Sequence, residues 1–171
     1  MRFEDYTDTS DSTAEDEKAI LIASLKETQP EVVVEVGTHG GLTALYLADA
    51  LMESGKWGAQ VHTYDPFDKF GARAAFDKFP LLPIQFHVQK GSECDLERID
   101  WLFIDGYHEK DAVLEEIDAL FPKLSDGAVV FFHDTNGSNP FCDVPGAIDE
   151  RKLNVEYMKT TNGLAKYIHK K

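Results

Sequence analysis

Cysteine is nearly absent. Cys94 and Cys142 are the only two, far apart and without the cysteine–histidine spacing of a zinc site, so a disulfide framework is excluded and both read as reduced thiols. No apolar run approaches the roughly 18 residues of a membrane span, and no cationic start followed by an apolar core marks a leader. Basic residues are scarce: 17 Lys and Arg against 31 Asp and Glu leave a net charge of −14. Such a surface repels phosphate backbones and anionic headgroups, which argues against nucleic acid and membrane as partners; the reduced thiols and the missing leader and span make a cytoplasmic protein the expectation. Repeats, low-complexity stretches and linkers are also missing. The 171 residues are therefore read as one domain, with the acidic, hydroxyl-rich residues 1–11 as a mobile or lid-forming arm.

What is present centres on residues 31–41, EVVVEVGTHGG. Val32, Val33, Val34 and Val36 form the near-continuous apolar run of a strand covered on both faces, and it enters a glycine turn followed by a helical pattern from Leu42. A turn of this kind at the carboxyl end of a central strand is where open α/β sheets bind nucleotides. The dinucleotide fingerprint GxGxxG is not met, because His39 stands where its second glycine would be. Glu35, Gly37 and Gly41 instead suit a ligand with an amino-acid moiety and no pyrophosphate, since a carboxylate before the turn repels phosphate and favours an ammonium or sulfonium.

Strand and helix patterns alternate from there. Ser12 with Glu15 forms a capping-box signature for a first helix whose stripe is Ala19, Ile22, Ala23 and Leu25. The second helix is expected over 41–53, with Leu42, Leu45, Tyr46, Asp49 and Met52 at helical spacing. Strands are expected over 61–64, 84–88, 101–104 and 128–132, helices over 67–79, 109–120 and 147–152, and a terminal hairpin over 155–169 around Thr161-Asn162-Gly163. The fold class is α/β, a doubly wound Rossmann-like sheet of about seven strands, mostly parallel with an antiparallel C-terminal hairpin.

In a parallel sheet the carboxyl ends of the strands share one edge, so residues distant in sequence meet there. Asp65 closes the second strand, 28 residues after Gly37, where a carboxylate can take both hydroxyls of a ribose. Asp105 and Asp134 close the fourth and fifth strands in WLFIDGYH and AVVFFHDT, and two carboxylates that close require a cation or a shared proton. Mg²⁺ suits them; nitrogen ligands from His133 and His108 would bring in Mn²⁺, Fe²⁺ or Zn²⁺. The opposing reading has both aspartates capping helices or holding ligand polar groups without metal. His108 is a candidate general base, helix cap or ligand, and His133 a ligand or a structural histidine.

EVGTHGG, the Asp-Pro after the second strand, FIDGYH with its following helix, and GAVVFFHD, in that order, resemble class I S-adenosylmethionine-dependent methyltransferases. The branch it looks most like is the compact O-methyltransferases, with catechol O-methyltransferase and the metal-dependent enzymes that tailor antibiotic sugars. The resemblance runs from about Val32 to Asp134. It implies that Glu35, Gly37, Thr38 and Gly41 line the methionine part of the cofactor, with His39 in the same turn, that Asp65 holds the ribose, that Ser92 lies near the adenine, and that Asp105 and Asp134 bind a divalent cation. His133 stands where some tailoring enzymes have an acid, and Thr135 follows Asp134 in place of an acid or amide. The expected activity is methyl transfer to a small-molecule hydroxyl, sugar- or catechol-like, with Asp105 and His108 at the reacting atoms and Asp105, Asp134 and His133 on Mg²⁺ or another divalent cation. A non-catalytic cofactor-binding or regulatory module is the alternative, an NAD-type oxidoreductase a more distant one, and a homo-oligomer is left open.

Overall fold

The computed structural model describes residues 13–137 and 142–171. The expected arm 1–11, Ser12 of the expected capping box and part of the loop 136–145 lie outside the described residues. The elements, in chain order, are α1 Glu15–Thr28, β1 Val32–Val36, α2 Leu42–Glu53, β2 Gln60–Tyr64, α3 Ala72–Phe76, β3 Ile84–His87, β4 Ile99–Ile104, α4 Lys110–Leu120, β5 Leu124–Phe132, α5 Val144–Glu150, β6 Glu156–Met158 and β7 Leu164–Ile168. One sheet runs β3-β2-β1-β4-β5-β7-β6. β3 is an edge strand, and β1 sits between β2 and β4 with its valines paired to both. β7 pairs antiparallel with both β5 and β6, so it alone is reversed in the sheet.

Successive β1 residues point to opposite faces, which explains the unbroken valines. Val33 joins Leu21, Leu25, Leu47, Leu51, Trp101, Phe103 and Phe131 under α1 and α2. Val34 and Val36 join Ile104, Val113, Ile117, Leu120 and Phe132 under α4 and α5.

Four expectations are corrected. In α1 the buried residues are Glu17, Lys18, Leu21, Ser24 and Leu25, whereas Ala19 and Ala23 are exposed. The reason is polar: Ser24 Oγ accepts the Trp101 indole N–H at 3.2 Å, and Glu17 reaches into the sheet edge. The helix begins at Glu15, and Glu17 accepts the Ala14 N–H at 2.9 Å, so the acid that closes the first turn is Glu17 instead of Glu15. In α2, Tyr46, Asp49 and Met52 are only half-buried, because α2 is wedged between the sheet and α1 and buries its alanines and Leu47 and Leu51 instead. The helix expected over 67–79 shrinks to α3: Asp65 accepts the Phe67 N–H at 2.9 Å and Gly71 turns left-handed at φ 78°, so the chain stays irregular up to residue 71.

Candidate active site

Gly37 follows β1 in a left-handed conformation, φ 98°, and donates its N–H to Tyr64 O at 2.8 Å. A Cβ there would stand 2.0 Å from the Asp105 carbonyl oxygen, so the ends of β1 and β4 close up only because position 37 has no side chain. Thr38 shares a 2.6 Å hydroxyl contact with Thr63, and Thr63 donates to Glu35. Glu35 is thereby buried beneath the turn, and it does not line the cavity above. Gly41 is likewise set back, as the left-handed cap of α2 packed on Phe76.

That cavity, about 400 Å³, is lined by Gly37, Thr38, His39, Asp65, Ser92, Asp105 and His108 of the expected site, together with Phe67, Phe70, Tyr107, Glu115 and Glu116. Asp65 accepts the His39 N–H at 3.1 Å through Oδ2 and the Phe67 N–H through Oδ1. Two backbone donors therefore hold the carboxylate at the cavity wall. His39 stacks on Phe70 with ring centroids 3.8 Å apart. Ser92, in the turn after β3, donates to Glu115 at 2.8 Å.

At the other end of the cavity Asp105, His108, His133 and Asp134 converge, with one potential ligand atom from each lying within 4.8 Å of the others. His108 Nε2 is 3.2 Å from Asp105 Oδ1 and 3.3 Å from Asp134 Oδ2. His133 is fully buried; its Nε2 is 2.9 Å from Glu17 Oε2. Its Nδ1 lies 2.7 Å from Asp105 Oδ1 but off the line a hydrogen bond requires, and has no hydrogen-bond partner.

Glu17 was not among the expected site residues. It is buried on α1 and accepts from Asn162 N–H at 2.7 Å, from Thr160 Oγ1 at 3.0 Å and from Asn162 Nδ2 at 3.1 Å, besides Ala14 and His133. Burial alone would raise its pKa, but the hydrogen bond from His133 and the backbone donors outweigh it and hold the carboxyl at about 2. Burial would likewise lower His133, yet the charge of Asp105 and the contacts with Glu17 and Asp134 push it up to about 10. Asp105 sits lower than an ordinary carboxyl because His133 and His108 outweigh its burial. Thr13 adds a hydroxyl 3.3 Å from Asp105 Oδ2.

The donor set fits a divalent ion. With the Nε2 hydrogen given to Glu17, a neutral His133 turns its Nδ1 lone pair toward a carboxylate, an arrangement that needs either a proton or a cation between them. Two imidazoles beside two carboxylates favour a transition ion over Mg²⁺.

A sequence profile described as a methyltransferase domain matches residues 34–135. The chain belongs to the methyltransferase-domain family. No curated protein matches it by sequence. Solved structures similar to this methyltransferase include the SAH-bound methyltransferase PaMTH1 of Podospora anserina, at 15% identity and a TM-score of 0.75 over 98% of this chain and 83% of that one. The Bacillus cereus O-methyltransferase in complex with SAH superposes at 16% identity and 0.75 over 94% and 84%. TomG of Streptomyces achromogenes, an O-methyltransferase of tomaymycin synthesis in complex with SAM, does so at 16% and 0.75 over 94% and 82%. The fold is thus that of the S-adenosylmethionine-dependent methyltransferases, and the NAD-type reading falls. No helix among the described residues is long and apolar enough to cross a membrane.

Proposed function

We propose that this methyltransferase transfers the methyl group of S-adenosylmethionine to a hydroxyl of a small molecule, sugar- or catechol-like, with a divalent cation at the acceptor side. One observation carries the reading: Asp105 belongs both to the cavity that begins at Gly37 and to the cluster with His108, His133 and Asp134. A cofactor in the cavity would thus present its sulfonium beside groups able to hold and deprotonate an alcohol. Asp65 takes the ribose hydroxyls, and the Gly37–Thr38 backbone takes the amino-acid end. The acceptor oxygen attacks the methyl carbon, the carbon–sulfur bond breaks, and the hydroxyl proton passes to His108 Nε2. A divalent ion held by Asp105, Asp134 and His133 would supply acidification of the bound hydroxyl. The rim residues Phe67 and Phe70, both about half exposed, offer a face for a sugar or aromatic acceptor.

Calorimetry with S-adenosylhomocysteine and with NAD tests the cofactor. The first is expected to bind and the second not, and Asp65→Ala is expected to weaken the first by about 10- to 100-fold, the worth of one hydrogen bond to a charged group. Absence of binding at millimolar S-adenosylhomocysteine would sink the reading. For the acceptor half, Asp134→Ala is expected to abolish chelator-sensitive methyl transfer while leaving S-adenosylhomocysteine affinity within about twofold. Activity indifferent both to chelator and to that substitution removes the cation from the mechanism.

A further inference from the structure

Glu116 is a carboxyl without a protein partner in the wall of the cofactor cavity. It is 7% exposed, and its Oε2 makes no hydrogen bond. Its Oε1 lies against Gly106: a Cβ on that glycine would come within 2.9 Å of it, so the carboxyl keeps this place in the wall because position 106 has no side chain. Neighbouring Glu115, by contrast, is engaged by Ser92 Oγ at 2.8 Å and Lys90 Nζ at 3.6 Å. A buried polar group left unpaired is costly, so the donor that satisfies this one comes from outside the protein.

Position decides which donor. α4 packs against the Gly91–Glu93 turn that follows β3, and Gly91 lies against Val36 at the end of β1, so this turn and Glu116 line the same cavity as Asp65. If Asp65 holds the ribose, the base extends toward this turn, and the donor a base can offer there is the exocyclic amine of an aminopurine. We propose that Glu116 reads the cofactor's base, its Oε1 accepting the adenine 6-amino hydrogen. This rests on the S-adenosylmethionine reading above.

Burial first, then the charges of Glu115 and Asp105, hold the Glu116 carboxyl at about 8, so at neutral pH it accepts the amine as an uncharged acid. Because the folded-state value lies above the unfolded one, ionisation costs the fold increasingly as pH rises from the ordinary carboxylate range through 8. Glu116→Leu, which removes that group, should therefore melt at or above the wild type at pH 7.5.

The probes are adenosine and purine riboside, the same nucleoside lacking the amine, titrated by calorimetry or NMR. The wild type is expected to prefer adenosine by about tenfold, Glu116→Gln to keep that preference, and Glu116→Leu to lose it while binding S-adenosylhomocysteine about tenfold more weakly. No preference in the wild type, or an undiminished one in Glu116→Leu, overturns the proposal. A crystal structure of the wild type with S-adenosylhomocysteine decides it without any variant: Glu116 Oε1 is expected within about 3.2 Å of the amine nitrogen, and a base turned elsewhere overturns the assignment. Failure of the wild type to bind S-adenosylhomocysteine at all would instead strike the cofactor reading.

Discussion

Gly37→Ala is expected to abolish S-adenosylhomocysteine binding and to lower the melting temperature by more than about 10 °C, the equivalent of several kcal/mol in a chain of this size. Two costs add. The left-handed φ of 98° is strained for alanine by about 1–2 kcal/mol. The new methyl also meets the Asp105 carbonyl carbon at 2.5 Å and the Gly106 nitrogen at 2.9 Å, besides the oxygen at 2.0 Å. Those are backbone atoms and cannot swing aside: Asp105 N–H is bonded to Val36 O at 2.9 Å, and Gly37 N–H to Tyr64 O. Relief requires β1 and β4 to part at the point where the cavity and the acidic cluster meet. Gly55→Ala is the control, since φ there is 74° but nothing lies within 4 Å of an added Cβ. It should cost the conformational share alone, about 3 °C, measured by thermal denaturation. Equal losses at the two positions would refute the steric account.

Glu17→Ala should destabilise the protein by about 3–5 kcal/mol, the usual cost of breaking one half of a buried ion pair. Truncation would leave His133 Nε2–H, the Asn162 N–H and the Thr160 hydroxyl without their acceptor, the first of them fully buried. Glu17→Gln separates fold from site. It retains one oxygen for the Asn162 and Thr160 donors, but it lacks the charge that orients His133. Titration with Mn²⁺ followed by paramagnetic broadening or calorimetry should show affinity reduced by about 10- to 100-fold in Glu17→Gln, as found when the carboxylate behind a ligating histidine is altered. A variant as stable as the wild type, with unchanged Mn²⁺ affinity, would make Glu17 incidental to the cluster.

The strand-end acids were legible because parallel strands announce themselves. Val32–Val36, Trp101–Ile104 and Ala128–Phe132 are apolar on both faces, so the polar residue that stops each run must stand at one sheet edge. The order of the helices followed from the same alternation. The 67–79 segment misled because phenylalanines at 67, 70 and 76 imitate helical spacing, although two of them edge the cavity instead of the core. Glu17 and Glu116 were missed for a shared reason. Each is an acid on the buried stripe of its helix, Glu17 with Leu21, Ser24 and Leu25, and Glu116 with Val113, Ile117 and Leu120. In the sequence each also sits beside another acid, Glu17 after Asp16 and Glu116 after Glu115, and so reads as solvated charge. Counting three and four residues from the apolar positions would have exposed both.

The turn between β6 and β7 grips a helix 145 positions earlier in sequence, through Asn162 and Glu17. A growing polypeptide that has emerged as far as β5 already carries Gly37, Asp65, Asp105 and His133 with α1 packed on their sheet, yet Glu17 still lacks its donors from Thr160 and Asn162. The half of the pocket expected to hold the cofactor can therefore assemble during synthesis. The carboxylate behind His133 is fixed last, by donors from the hairpin, a contact of long sequence separation and so among the slowest for a chain to find.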